Sequence, residues 1–292
     1  NAVGYKAVVE EAAIAFLRRS SARLTPLDNG LMPLDCDVTP FDNSQSKKEG
    51  VSRTYKGEDG YAPMAAYLGQ EGYCLELELR EGSQHCQKGT PEFLQRVLGR
   101  ARQLTATPLL LRLDSGNDAI ENIAVVEAHN ERDEQAARTD YLIKWNPRRE
   151  SAEKWLAYAE EHGDWSAPRP GKRVALFDVV ETRTHDGYEY PLRRVMRVIE
   201  RTIDKRGQLL LVPEVEIEGW WTSLVFDAQT IIALYADHGT SEQYHSEFKT
   251  DLDIERLPSG KFATNALILA CAQLAYNILR WIGQNGLLGP DA

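Results

Sequence analysis

Cysteine is scarce and scattered. Cys36, Cys74, Cys86 and Cys271 are the only four in 292 residues, and no two form a C-x-x-C pair. That spacing excludes a zinc ribbon and a disulfide framework and fits a reducing cytoplasm. Positive charge is also short, with 34 Lys and Arg against 44 Asp and Glu, for a formal charge of −10. Net charge therefore cannot hold a polyanionic partner, which would have to meet local basic patches. A long apolar run is missing too: the best stretch, residues 265–282, is broken by Asn265, Gln273, Asn277 and Arg280, too polar for a bilayer span. No internal repeat or low-complexity tract is present. No initiator Met or signal peptide opens the chain, which reads as a fragment of something longer.

What the chain does contain supports a sizeable core. Hydrophobic residues make up 42% and charged residues 27%, and the length suits one elaborated domain or two modest ones. Residues 5–19 carry apolar side chains at helical spacing, and residues 1–30 read as the end of a preceding helical region. In residues 31–39 (LMPLDCDVT), Leu34, Cys36 and Val38 alternate with Asp35 and Asp37, which predicts a strand with both carboxylates on one face. A polar loop over 43–60 precedes two strands around a turn at residues 69–72. Thr90 and Pro91 supply an N-cap and a first-turn proline for a helix, and PLLLRLD (108–114) follows as an apolar strand ending on Asp114. A further helix, a strand over 140–146 and an amphipathic helix over 151–163 continue the α/β alternation.

From Arg173 to Leu224 the pattern becomes β-rich, with turns at Asp186-Gly187 and at residues 205–207. Helical character returns at Ala228 and again over 262–282. The expected organisation is an α/β core over 31–165, a β-rich insertion over 166–227 and closing helices over 228–292.

Several carboxylates drawn from different elements are what a pair of divalent cations needs for phosphoryl transfer, because such ions take oxygen ligands and keep positions open for phosphate and water. Asp37, Asp114 and Glu242 meet that description. Within YADHGTSEQYHSEFK, the residues Tyr235, His238, Glu242 and Lys249 fall at offsets of three, seven and fourteen. On a continuous α-helix they would share a stripe about 60° wide. Two alternatives stand beside this. His238, Glu242 and His245 at spacings of four and three offer a zinc-ligand pattern without a fourth ligand. Asp35 shares a face with Asp37 and could be the first metal ligand in its place.

The spacing of Tyr235, His238, Glu242 and Lys249 resembles the Tyr-Arg-Glu-Lys signature of DDE transposases of bacterial insertion sequences. LDCDVT resembles their first acidic strand, LRLDSG their second, and FATNALILACAQLAYNIL the helix after their Glu motif. The resemblance covers residues 31–282 and departs at His238, where the family has Arg. The acid just before Val38 and Thr39 matches the family better than Asp35.

That resemblance implies a ribonuclease H-like mixed sheet flanked by helices, with the β-rich insertion between the second Asp and the catalytic Glu. It implies metal-dependent cleavage and strand transfer of DNA with two Mg²⁺ (or Mn²⁺) ions on Asp37, Asp114 and Glu242. Tyr235, His238 and Lys249 would position the DNA backbone, and Arg193, Arg194 and Arg197 of the insertion would add phosphate contacts. Trp220 or Trp221, adjacent on a strand and so facing opposite ways, would offer a base-stacking surface. The expected partners are the transposon ends and target as double-stranded DNA, with a homodimer on DNA, a bacterial cytoplasmic location and no membrane. A ribonuclease H-like nuclease or resolvase that cuts without joining, and a catalytically silent transposase-derived DNA-binding protein, are the rival readings.

Overall fold

The computed structural model describes residues 2–132 and 136–287. In chain order the elements are α1 (Ala2–Arg19), β1 (Met32–Val38), β2 (Phe41–Asp42), β3 (Ser52–Arg53), β4 (Asp59–Tyr61), β5 (Met64–Leu68), β6 (Tyr73–Glu78), α2 (Thr90–Arg102), β7 (Leu109–Leu113), α3 (Ile120–Arg132), β8 (Thr139–Lys144) and α4 (Ala152–His162). Then come β9 (Asp164–Arg169), β10 (Lys172–His185), β11 (Tyr188–Ile203), β12 (Leu209–Thr222), α5 (Ala228–Ala236), α6 (Thr240–Ser246) and α7 (Phe262–Ile282). The fold is mixed α/β, with a large mixed sheet flanked by helices. The chain divides into two compact units: Asn1–Arg112, Val125–Thr139 and His238–Ala292 form the first, and Leu113–Ala124 with Asp140–Asp237 the second.

In the first unit the strand order is β6-β5-β1-β7. β1 and β5 run antiparallel with Asp37 opposite Ala65, and β5 pairs antiparallel with β6 through a bulge at Ala66/Tyr67. The turn between β5 and β6 needs Gly72: its φ is +68°, and a Cβ there would lie 2.2 Å from the Tyr244 ring. The stretch expected to be a polar loop over 43–60 instead carries β3 and most of a small sheet ordered β2-β4-β3. Thr90 does not cap α2. Gly89, at φ 77°, occupies the cap position, and the Thr90 hydroxyl donates to the Cys86 carbonyl at 2.6 Å.

α7 lies along β6, the outermost strand. The polar residues that interrupt its apolar run are spent on that strand. Asn277 accepts from Cys74 N at 2.9 Å and donates to Cys74 O at 2.8 Å, and Gln273 donates to Leu75 O at 2.8 Å. Both side chains are fully buried, so the main-chain groups of β6 find partners without water. By length and composition the segment Phe262–Gly286 is long and apolar enough to cross a membrane, which corrects the expectation that its polar residues bar it. In the fold its buried face packs on β6, and Phe16 of α1 meets Trp281 edge-on at 5.9 Å. The core beneath contains Phe41, Tyr67, Leu77, Tyr244, Phe248 and Tyr276. All four cysteines are free.

In the second unit the order is β8-β12-β11-β10-β9. β10 and β11 form a long hairpin whose two turn residues, Asp186 and Gly187, both have positive φ (49° and 82°), as a type I′ turn requires. β12 returns antiparallel beside β11, pairing Arg194 with Trp221 and Arg197 with Glu218. Ser151 caps α4 by accepting from Lys154 N at 3.3 Å, and Trp155 of that helix stacks on Phe177 of β10.

Candidate functional site

The alternation in β1 sends Asp35 and Asp37 the same way, but their surroundings differ. Asp35 is buried and accepts two bonds from the Arg112 guanidinium of β7, at 2.6 and 2.7 Å. His238 Nδ1 lies 2.9 Å from its Oδ1. Burial pushes the Asp35 pKa up, yet the Arg112 and His238 charges outweigh it and hold the carboxyl below the usual range. Burial likewise pulls His238 down, and the charge and hydrogen bond of Asp35 lift it above the ordinary histidine value. This is a closed interior ion cluster in which both Asp35 oxygens are engaged and the carboxylate is buried. Arg112 was not anticipated, although an arginine inside the apolar run LLLRL signals a buried charge that needs a partner.

Asp37, two residues on, keeps 24% of its side chain exposed. Its Oδ1 accepts from the Val38 amide at 2.7 Å, and its Oδ2 lies 3.4 Å from His245 Nε2. On the other side of the His245 ring, Nδ1 is 3.0 Å from the Tyr67 hydroxyl. Burial raises the Tyr67 pKa far above its usual value, so the phenol keeps its proton. When that phenol donates to Nδ1, the imidazole proton sits on Nε2, the nitrogen nearest Asp37. Nε2 is not aligned for a hydrogen bond and has no such partner among the described residues.

Asp114 follows β7 in the second unit, at the start of a 3₁₀ turn over Ser115–Asn117. It accepts from Asn117 Nδ2 at 2.6 Å. Asn117 is fully buried, and its own carbonyl accepts from Asn122 at 2.8 Å. Glu242 is exposed in the first turn of α6, in the first unit.

The single helical stripe expected for Tyr235, His238, Glu242 and Lys249 is not built. α5 ends at Ala236, a 3₁₀ turn spans Asp237–Gly239, α6 covers Thr240–Ser246, and a π-helical turn follows over Glu247–Asp251. Each change of helix type resets the angle per residue, so the 100° arithmetic fails across the segment. Tyr235 packs against Trp220, with Lys144 Nζ 5.7 Å from its ring. His238 is buried on Asp35 rather than turned toward a polyanion. Lys249 is half-buried with Nζ 6.0 Å from the Phe41 ring, and burial lowers its pKa.

The insertion also departs from expectation. Trp220 and Trp221 do face opposite ways, but both are buried, at 2% and 0% exposure, so neither is an open platform for a base. Lys144 Nζ sits 4.0 Å over Trp220, while Arg183 and Arg194 cover Trp221 at 4.3 and 4.6 Å. Arg193 and Arg197 share a strand face, yet both are engaged. Arg193 pairs with Asp178 at 2.8 Å and donates to the Leu224 and Phe226 carbonyls, and Arg197 pairs with Glu218. Arg194 is only 3% exposed, and burial pulls its pKa down. The arginines expected to add phosphate contacts thus lie in a charge-paired sheet face.

The donor chemistry of Asp37, Asp114 and Glu242 suits hard divalent cations, since each offers carboxylate oxygens. Among the described residues, however, no group of three or more His, Cys, Asp or Glu is gathered closely enough to hold an ion. That finding removes the zinc reading of His238, Glu242 and His245, whose two imidazoles are turned to Asp35 and to Tyr67.

A family model described as "Transposase DDE domain group 1" matches residues 27–289. No curated protein matches the chain. Among solved structures it is similar to the cryo-EM structure of the piggyBac transposase synaptic complex with hairpin DNA, at 11% identity and a TM-score of 0.45. The match covers 90% of this chain and 49% of that one, so the chain spans about half the length of that protein.

Proposed function

Because the chain belongs to the transposase DDE domain group 1 family, we propose that it is the catalytic region of a DNA transposase, cutting phosphodiesters at transposon ends and joining the freed 3′ ends to a target. The observation that carries this reading is the contrast along β1: Asp35 is locked to Arg112 and His238, while Asp37 presents a partly open carboxylate. A strand that neutralises one acid internally and leaves the next available is arranged to serve an outside ligand.

Asp37, Asp114 and Glu242 are the catalytic acids in this proposal, within a ribonuclease H-like core interrupted by the β-rich segment, as in insertion-sequence transposases with a Tyr-Arg-Glu-Lys signature. Members of the family generally use divalent ions, and these acids would hold two Mg²⁺ or Mn²⁺. Bound there, the ions would activate the attacking oxygen and stabilise the charge on the phosphate. The protein's own share is placement: β1 and the Val38 amide fix Asp37, and Asn117 fixes Asp114. Tyr235 and Lys249 contribute backbone contacts, and the protein works as a homodimer on double-stranded DNA in a bacterial cytoplasm.

The test incubates the protein with supercoiled plasmid and with 3′-labelled duplex in Mg²⁺ or Mn²⁺, alongside Asp37→Asn, Asp114→Asn and Glu242→Gln. Nicking and joining in the wild type, lost in each variant with unchanged melting temperature, is the expected result. Full activity in any variant refutes the assignment of that acid. Cutting without joining would replace transposition by nuclease action, and DNA binding with no Mn²⁺ uptake in calorimetry would make the protein a silent binder.

A further inference from the structure

We propose that a cavity of about 310 Å³ in the second unit, between the loop after β8 and strands β10 and β11, is an anion site that receives a phosphate group of a DNA backbone. The proposal rests on the transposase reading only for the source of the phosphate. Its chemistry is set by four arginines, Arg148, Arg149, Arg183 and Arg194, which line the cavity against three acids, Asp118, Glu150 and Glu181. In a chain of net charge −10, this local excess of guanidinium is the reverse of the global balance.

Arg194 forms part of the wall. It is held by three indoles, with its guanidinium carbon 4.5 Å from Trp145, 4.9 Å from Trp155 and 4.6 Å from Trp221. Such a box supports the cation but supplies no hydrogen-bond acceptor. Its Nε has no hydrogen-bond partner among the described residues. The nearest carboxylate, Glu181, is 3.8 Å away and already takes the Arg183 Nε at 2.8 Å. At 3% exposure Arg194 contributes its charge to the cavity wall, while its Nε is enclosed by protein and the donors open to a ligand come from the rim.

The rim is also prepared. Arg148 adopts a left-handed backbone, φ 49°, which is strained for a residue with a Cβ. Two bonds hold it there: its amide donates to Asn146 Oδ1 at 3.0 Å, and its Nη2 donates to the Asp118 carbonyl at 2.8 Å. Asp118 in turn accepts from the Asn146 amide at 2.8 Å. Strain sustained by a closed hydrogen-bond loop at the mouth of a cavity is characteristic of a ligand clamp. Arginine forks match phosphate oxygens, and the volume is at the lower end for ligand cavities, enough for a phosphate with its sugar.

The test uses the whole protein with two probes, inorganic phosphate and a non-specific DNA duplex. The variants are Arg148→Gln with Arg149→Gln, both exposed and therefore compatible with folding, and Asp37→Asn as a control that does not line the cavity. Wild type and Asp37→Asn should show a saturable rise in melting temperature with phosphate over matched chloride. The double variant should bind phosphate about tenfold more weakly or worse, the factor expected for a lost charge-assisted hydrogen bond. For the duplex, the slope of log affinity against log salt should fall by about one per lost phosphate contact, so by one or two in the double variant. No phosphate response in the wild type, or an equal response in the double variant, overturns the site. A phosphate response with an unchanged DNA salt slope overturns the DNA assignment in favour of a free phosphate or nucleotide. Loss of cleavage in Asp37→Asn bears on the catalytic reading alone.

Discussion

His245 Nε2 stands 3.4 Å from Asp37 Oδ2, and the same ring is backed through Nδ1 by the Tyr67 hydroxyl. The imidazole beside this partly open acid is thus itself steadied from the core. We predict that His245 positions Asp37. Replacing it with Ala is expected to lower DNA cleavage by about 10–100-fold, as for other groups that orient a ligand side chain. Mn²⁺ affinity measured by calorimetry should fall in parallel while DNA affinity holds, and His245→Gln should recover part of both. A variant that loses only thermal stability would show His245 to be a packing residue.

Removing one member of the Asp35–Arg112–His238 cluster leaves a charge stranded in the interior. Arg112→Met is expected to cost about 3–5 kcal/mol in urea unfolding at neutral pH, the usual penalty for breaking a buried pair. Adding Asp35→Leu should restore part of that loss, because the stranded carboxylate is removed and His238, no longer held by it, can shed its proton. If Arg112→Met is neutral, the contact at 2.6 Å contributes nothing to folding.

The same cluster makes stability depend on pH with a definite sign. His238 has a raised pKa when folded, so its contribution is complete below the unfolded histidine value near 6.5 and is lost as pH rises through the folded value. The groups that set it are Asp35 and Asp37, which favour the cation, and Arg112, which opposes it. Urea midpoints of wild type and His238→Gln, compared across pH, should lie furthest apart below about pH 6.5 and converge as pH rises through the higher folded value. A gap that widens with pH would contradict the raised value.

Trp220 and Trp221 are core residues of the second unit. Either one changed to Ala should cost about 3–5 kcal/mol of stability in a denaturant titration. Conservative Trp220→Phe or Trp221→Phe variants that fold should bind DNA as the wild type does. A selective loss of DNA affinity in a fully folded Phe variant would return a stacking role to that indole.

Much of this fold could be read in the amino-acid order, because β1, β7, the β10–β11 hairpin and α7 each carry a clear period or turn signature. Asp186-Gly187 announces its turn through positive φ, and Pro91 announces the start of α2. The site was less legible. Alternation in β1 shows that Asp35 and Asp37 share a face, but only the neighbouring strand's Arg112 and the distant His238 decide which of them is sealed. The stripe at 235–249 failed because helix type changes three times within fifteen residues, which a fixed angle per residue does not register. The arginines of β11 looked like a surface patch because strand register, which the sequence does not show, brings Glu218 opposite Arg197 and Asp178 diagonally to Arg193.

The amides of α7 have an effect on how copies of this protein behave toward one another. An outermost strand with bare main-chain groups invites a neighbouring molecule to extend the sheet, the first step toward aggregation. Asn277 and Gln273 already occupy those groups on β6, at Cys74 and Leu75. The helix therefore acts as a sealed hem, and apolar substitutions at these two positions would leave the Cys74 main-chain groups unpaired beneath it and loosen the cover over that edge.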